Sequence, residues 1–240
     1  MTNWPTVSVL IPAWNAERWI EKAVESCVRQ DYPGLVETIV ADDGSEDGTR
    51  RAVESLRLRW SKRIVLLEMP HGGYARAFNL ALAGAGGEVV ARLDADDWSA
   101  GDRLRKQVEV LRSADIVTSE MTLVDEDGHR LGETHDRGMD SGRFASGAEP
   151  HGACGPTLVA WRRVYETVGP FSTDPRWQWS PDTEWTFRAL RAGVRWAHVP
   201  EPLYFYRKHA ERMTVRGGTK GHEAYLAQCE EHRAWLREHT

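Results

Sequence analysis

Residues 7–30 read VSVLIPAWNAERWIEKAVESCVRQ, and this stretch decides the fold class. Val7, Ser8, Val9, Leu10 and Ile11 form an apolar run of strand length, and Pro12 ends it. Asn15 can cap a helix over 16–29, in which Trp19, Ile20, Ala23, Val24, Cys27 and Val28 recur at helical spacing and form one apolar face. The unit then repeats. Pro33-Gly34 breaks the chain, and a strand is predicted over 36–41. The polar loop 42–48, a helix over 49–60 and a strand over 64–68 follow. The loop His71-Gly72-Gly73 leads to a helix over 74–83 and a fourth strand over 88–93. Four alternations of strand and helix predict an α/β domain, Rossmann-like, with a mostly parallel sheet and helices on both faces.

Beyond residue 97 the pattern loosens. A helix is predicted over 104–111, and strands over 116–124 and 129–133 flank Asp125-Glu126-Asp127-Gly128 as a hairpin. This gives the second half a small antiparallel portion. Residues 134–156 carry many Gly, Asp and Ser without a period, which predicts a long mobile loop that orders over bound ligand. A short strand over 157–161, a helix over 182–192 and a strand over 194–199 follow. Gly217-Gly218 separates a last helix over 222–239.

The 240 residues are 41% hydrophobic and 28% charged, values of a globular chain. A net charge of -5 gives no electrostatic footprint for nucleic acid. Cys27, Cys154 and Cys229 are odd in number and far apart, which favours a reducing, cytoplasmic compartment over a disulfide framework. His151-Gly152-Ala153-Cys154 lacks two further ligands at zinc spacing. The apolar stretch 7–14 is too short to span a bilayer, no transmembrane segment is expected, and no basic region precedes it as in a signal peptide. Tyr225, Leu226, Cys229, Trp235 and Leu236 of the last helix can pack on the domain, form a homo-oligomer contact, or meet the inner face of a membrane peripherally.

Open α/β sheets bind ligands outside the carboxyl ends of their strands. Three polar clusters fall at such ends: Trp14-Asn15, Asp42-Asp43-Gly44-Ser45 and Asp94-Ala95-Asp96-Asp97. Carboxylates around one crevice repel unless a cation joins them. Mg²⁺ or Mn²⁺ suits oxygen ligands and substrate phosphates.

With these clusters in place, the chain resembles glycosyltransferase family 2, of GT-A fold. The resemblance rests on residues 7–30 above, VADDGSEDGT (40–49), GGYARAFNLALAGAGGEVVARLDADD (72–97), LVAWRRVYETVGPF (158–171), SPDTEWTFRALRAG (180–193) and YRKHAERMT (206–214), in the family's order across roughly residues 6–215. It implies an inverting transferase that takes a sugar from a nucleotide diphosphate donor, commonly a UDP-sugar. The implied organisation is a catalytic domain over 1–215, with a nucleotide-binding half over 1–97 and an acceptor-binding half over 98–215, and a helical extension over 216–240. The acceptor class stays open among glycan, lipid-linked intermediate, peptide and small molecule.

The resemblance also implies residue roles. Pro12 and Trp14, with Asn15 beside them, sit where the family contacts the nucleotide, and Trp14 stands where Tyr is more usual. Asp43 matches the Asp that hydrogen-bonds the base. Asp94 and Asp96 match the DxD motif, Asp94 toward the donor ribose or metal and Asp96 toward the metal. His209 matches a His that completes the metal shell in some relatives. Asp182 matches the general base, with Pro181 where Glu is common; a helix N-terminus favours the ionised carboxylate such a base needs. Position alone equally suits a helix cap. Trp177, Trp179 and Glu184 are candidate contacts for acceptor or sugar, and aromatic residues there equally suit a core. Two other readings remain: a non-catalytic sugar-nucleotide binder, and a nucleotidyltransferase, which lacks here the glycine-rich basic loop expected after its first strand.

Overall fold

The computed structural model describes residues 3–60, 63–134 and 155–239. The predicted loop over 134–156 and the His151–Cys154 pair therefore lie almost wholly outside the described residues.

Strand β1 (Val7–Ala13) is buried at all seven positions. Its alternate side chains enter two different cores. Val7, Val9, Ile11 and Ala13 join the apolar faces of α1 (Ile20–Val28), α2 (Thr49–Arg59) and α4 (Arg103–Leu111). Leu10 points the other way, into a core built on Phe78 of α3 (Tyr74–Ala83) and Trp185 of α6 (Pro181–Arg191). A strand covered on both faces has no solvent side to show, which is why its sequence is apolar apart from Ser8. Helices α5 (Arg162–Val168) and α7 (Met213–His239) complete the set, the latter kinked at Gly218.

The remaining strands are β2 (Val36–Asp42), β3 (Ile64–Glu68), β4 (Val89–Arg92), β5 (Trp98–Ser99), β6 (Ile116–Val124), β7 (Arg130–Glu133), β8 (Val159–Trp161) and β9 (Trp196–Arg207). They form one sheet of order β3-β2-β1-β4-β8-β6-β9-β5, with β7 paired to β6. The first four strands are mutually parallel. β8, β5 and β7 add the antiparallel portion. The chain leaves β1 toward β2 on one side and returns as β4 on the other. The strand order reverses there, and a ligand crevice opens at such a point.

Several expectations need correction. Asn15 is no helix cap. It sits at φ 49, in the left-handed region, and α1 starts only at Ile20. The amides of the intervening turn are satisfied from the next loop instead. Asn15 N–H donates to Ser45 Oγ at 2.9 Å, Ala16 N–H to Thr49 Oγ1 at 2.7 Å and Glu17 N–H to Asp47 Oδ2 at 3.0 Å. Asn15 Oδ1 in turn accepts from Glu46 N–H at 2.9 Å. The polar 42–48 loop is thus a clasp between the first two βα turns. The strand expected over 194–199 runs on to Arg207, because its second half pairs with β6 and β5. The expected break at Gly217-Gly218 is present, as non-helical backbone at Gly218, and a short helical stretch from Met213 precedes it. Helix α5 was not foreseen; seven residues are too few to show a period.

Candidate active site

Residues 94–97 leave β4 at the switch point, and their three carboxylates have separate surroundings. Asp97 is buried. It accepts from Tyr204 Oη at 2.8 Å and from the backbone N–H of Arg207 at 2.7 Å. Burial, with Asp96 and Asp94 nearby, pushes its carboxyl well above the usual range despite these donors. Tyr204 Oη also accepts from Asp94 N–H at 3.1 Å, and Arg207 Nε donates to the Asp96 carbonyl at 2.8 Å. Asp97, Tyr204 and Arg207 therefore pin the loop to β9.

Asp96 faces His209, which follows β9, with Oδ2 and Nε2 2.8 Å apart. The imidazole is 3% exposed, packs on Trp19 at 4.2 Å, and has a buried Nδ1 without a hydrogen-bond partner. Two donors on one octahedral ion with bonds of about 2.0–2.1 Å stand about 3 Å apart. The spacing is one that Asp96 and His209 would need to share a divalent ion.

Asp94 turns toward a different partner. Its Oδ1 accepts from Tyr74 Oη at 2.8 Å and lies 3.7 Å from Arg92 Nη2. Burial and Asp96 push its carboxyl upward, against the pull of Arg92. Arg92 is itself buried. Nη2 donates to Tyr74 Oη at 2.6 Å and Nη1 to Asp182 Oδ2 at 3.3 Å. Asp182 reaches this point from the first turn of α6, where its Oδ1 accepts from Thr183 N–H at 2.9 Å. The N-cap position belongs to Ser180 and Pro181 comes next, so Asp182 stands inside the helix rather than capping it.

At the ends of β1 and β2, which are sheet neighbours, Trp14 and Asp43 come together through His71. The Trp14 and His71 rings stack at 4.6 Å with planes 24° apart. His71 Nδ1 lies 2.9 Å from Asp43 Oδ2, and the Asp43 carboxylate accepts from Gly72 N–H at 2.7 Å and Gly73 N–H at 2.9 Å. A carboxylate offers about four acceptor sites, so room for one more donor remains. The Arg216 guanidinium lies 4.5 Å from the Trp14 ring centroid. Pro12 is buried inside β1 opposite Ala41.

Trp177, Trp179 and Glu184 meet protein. Trp177 is buried. Trp179 packs on α7, where a Cβ on Gly217 would stand 3.0 Å from its ring. Gln228 of α7 donates to the Ser180 carbonyl at 3.1 Å and holds the same junction. Glu184 accepts from Arg188 Nε and Nη2 at 2.7 and 2.9 Å, and Arg188 also donates to the Pro170 carbonyl. These three side chains brace α6.

Among the described residues, three metal-capable side chains gather within 4.8 Å at the hairpin tip, as Asp125, Asp127 and His129. Asp125 Oδ1 is occupied by the backbone N–H groups of Asp127 and His129 at 3.0 and 2.8 Å. This is turn chemistry. It does not include the Asp96–His209 pair.

Sequence reading missed Arg92, Tyr74, Tyr204, Arg207 and His71. Arg92 alone carried a signal, as a charge inside an apolar strand beside the acidic loop. Such a charge is almost never fully buried unless paired.

The glycosyl transferase family 2 model matches residues 8–169. A putative glycosyltransferase, EpsE of Bacillus subtilis (strain 168), is 30% identical over 223 residues, covering 91% of this chain and 79% of its own. The crystal structure of S. aureus TarS 1-349 in complex with UDP superposes with a TM-score of 0.73 at 20% identity. The mannosyltransferase PcManGT from Pyrobaculum calidifontis, in complex with GDP-Man and Mn²⁺, gives 0.70 at 24%. Each covers 95% of this chain, and this chain spans 65% and 64% of theirs. At such identities the two structures speak for the fold, which is GT-A.

Proposed function

This chain belongs to glycosyl transferase family 2 and is a glycosyltransferase, and from that premise we propose that it inverts the anomeric centre of a nucleotide-sugar donor with Asp182 as general base. The observation that carries the reading is the shared guanidinium of Arg92. It brings Asp182, from residues 98–215, beside Asp94 of the DxD loop, from residues 1–97.

In this reading the acceptor hydroxyl approaches from the side of α6 and gives its proton to Asp182 as its oxygen attacks the anomeric carbon. The bond from that carbon to the diphosphate oxygen breaks, and the electron pair leaves with the diphosphate. One base on the face opposite the leaving group suffices. Asp96 and His209 would hold Mn²⁺ or Mg²⁺, which when bound would neutralise charge on the leaving diphosphate. Trp14, Asn15 and Asp43 at the ends of β1 and β2, with Pro12 beneath, receive the nucleotide, and Asp94 its ribose. UDP is the first candidate carrier. The GDP-Man of the Pyrobaculum neighbour keeps guanine donors in the screen.

The catalytic unit is residues 1–215, with 216–240 as a helical extension fastened to the Trp179–Ser180 junction. Among the described residues no helix is long and apolar enough to cross a membrane. A cytoplasmic placement beside the nucleotide-sugar pool belongs to this reading. Glycan, lipid-linked, peptide and small-molecule acceptors all stay in it.

The test has two steps. Thermal shift with UDP-glucose, UDP-galactose, UDP-GlcNAc and GDP-mannose in Mn²⁺ selects the donor, since a ligand of the native state raises its stability. Asp182→Asn is then compared with the parent for diphosphate release. A loss of about 10³-fold or more in kcat with donor affinity kept is expected of a lost base. Near-parental turnover, or a product of retained anomeric configuration by NMR, would overturn the reading. Affinity without release in the parent protein would indicate a binder.

A further inference from the structure

Arg92 sits at the end of β4, in a strand whose other residues are Val89, Val90 and Ala91. Its side chain is 3% exposed. Apolar and aromatic groups line its surroundings: the guanidinium carbon lies 5.9, 5.5 and 5.6 Å from the ring centroids of Phe78, Phe171 and Tyr74. Burying an arginine costs several kcal/mol unless it is well paired. The sheet would be served as well by Leu or Met, so the pairing needs a reason.

The partners supply it. Nη1 reaches Asp182 Oδ2, and Nη2 reaches Tyr74 Oη, which donates to Asp94 Oδ1. Two carboxylates from the two halves of the chain thus flank one buried cation. Without it they would face each other as like charges in a weakly screened interior. The other side of the pair is closed by backbone. A Cβ built on Gly155 would stand 2.5 Å from Asp182 Oδ2 and 3.0 Å from Arg92 Nη1. Asp182 is therefore fixed from two directions, by a charge-assisted hydrogen bond and by a glycine that leaves only the space the carboxylate fills.

We infer that Arg92 is a positioning residue for the transfer reaction: with Gly155 as its steric backstop, it sets the Asp182 carboxylate in register with the donor held by Asp94. The inference rests on the reading of Asp182 as the base. Arg92 touches neither reacting partner. It reaches Asp182 directly and the donor side only through Tyr74 and Asp94, so its loss shows in kcat more than in donor affinity.

Arg92→Met, Arg92→Lys and Gly155→Ala are compared with the parent and with Asp182→Asn. Titration calorimetry reads UDP affinity in Mn²⁺, and release from the donor chosen by thermal shift reads kcat. Methionine suits the apolar surroundings, and melting checks that the fold survives the loss of the cation between the two carboxylates. The expected result for Arg92→Met is a fall of about 10²-fold in kcat, the scale of a misplacement near 1 Å, with UDP affinity changed little. Arg92→Lys restores part of the rate, because a cation returns without the fork that spans both partners. Gly155→Ala lowers kcat in the same direction while every charge is kept. Parental kcat in Arg92→Met with an inactive Asp182→Asn overturns the role of Arg92 alone. Full activity in both variants overturns the base reading with it. Equal losses of kcat, affinity and melting temperature in Arg92→Met and Arg92→Lys would reduce Arg92 to a structural residue and likewise overturn the inference.

Discussion

Asp96 Oδ2 and His209 Nε2 lie 2.8 Å apart although 113 residues separate them in the chain. β9 makes the meeting. It pairs with β5, directly after the acidic loop, and ends two residues before His209. The pair predicts a divalent-ion requirement shared by both residues. Asp96→Asn is expected to abolish turnover and metal-dependent UDP binding while melting as the parent does. His209→Ala should weaken Mn²⁺ affinity and tilt the preference toward Mg²⁺, since an imidazole suits Mn²⁺ better. Titration of each ion in the presence of UDP checks this. Parental Mn²⁺ affinity in His209→Ala would remove His209 from the metal shell.

Asp97 is expected to behave in the opposite way from Asp96, one residue before it. It takes two protein donors and is buried. An amide in its place sets an N–H₂ against one of those donors. Leaving a buried group unsatisfied costs about 1–3 kcal/mol. Asp97→Asn should therefore lower the melting temperature, and activity at low temperature should survive better than in Asp96→Asn. A variant as stable as the parent would show that the Tyr204 and Arg207 contacts contribute little.

Trp14 and Asp43 are predicted to separate by stability. Trp14→Ala removes a stacking surface worth about 1–3 kcal/mol in nucleobase sites, so UDP affinity should fall with little change in melting. Asp43→Ala also frees the Gly72 and Gly73 amides and unpairs His71. Both affinity and stability should fall. UDP binding as tight as the parent's in both variants would place the base elsewhere.

The first half of the fold was legible because strands such as β1 are buried on both faces and each helix shows one apolar stripe. The acidic residues were legible as types at strand ends. Their partners were not. Arg92 meets Asp182 across 90 positions, and Tyr204 meets Asp97 across 107, so neither contact leaves a local pattern. At Trp177 and Trp179 composition left two roles open, because an indole suits a sugar and a core alike; the structure buries Trp177 and packs Trp179 against Gly217. The Gly217-Gly218 break was legible because glycine is a poor helix former. The backbone leaves the helix at Gly218, with φ 48, and the short helical stretch before it was too brief to show a period.

His232 gives a pH prediction for the C-terminal extension. Its ring is buried in α7 and stacks on Phe187 of α6 at 4.6 Å with planes 10° apart. Burial, and then the charge of Arg191, hold its pKa down at about 4. An unfolded histidine titrates near 6.5. Above that value neither state binds the proton, and the stacking contributes in full. Between about 6.5 and about 4 the unfolded chain takes up a proton that the folded chain refuses, so stability falls as pH falls. Below about 4 both states are protonated and this contribution to the slope ends. The loss across the window is on the order of 1–3 kcal/mol. Carboxylates elsewhere add their own slope, so the useful quantity is the difference between parent and His232→Leu, which cannot titrate. Melting curves from pH 7.5 to pH 4.5 should converge toward acid, the parent losing more than the variant. Because α7 is fastened at Trp179 and Ser180, beside Asp182, kcat should fall further toward acid in the parent than in His232→Leu, both sharing the loss that comes from protonating the base. Parallel melting curves for the two proteins across that range would show that His232 is not held neutral by its surroundings.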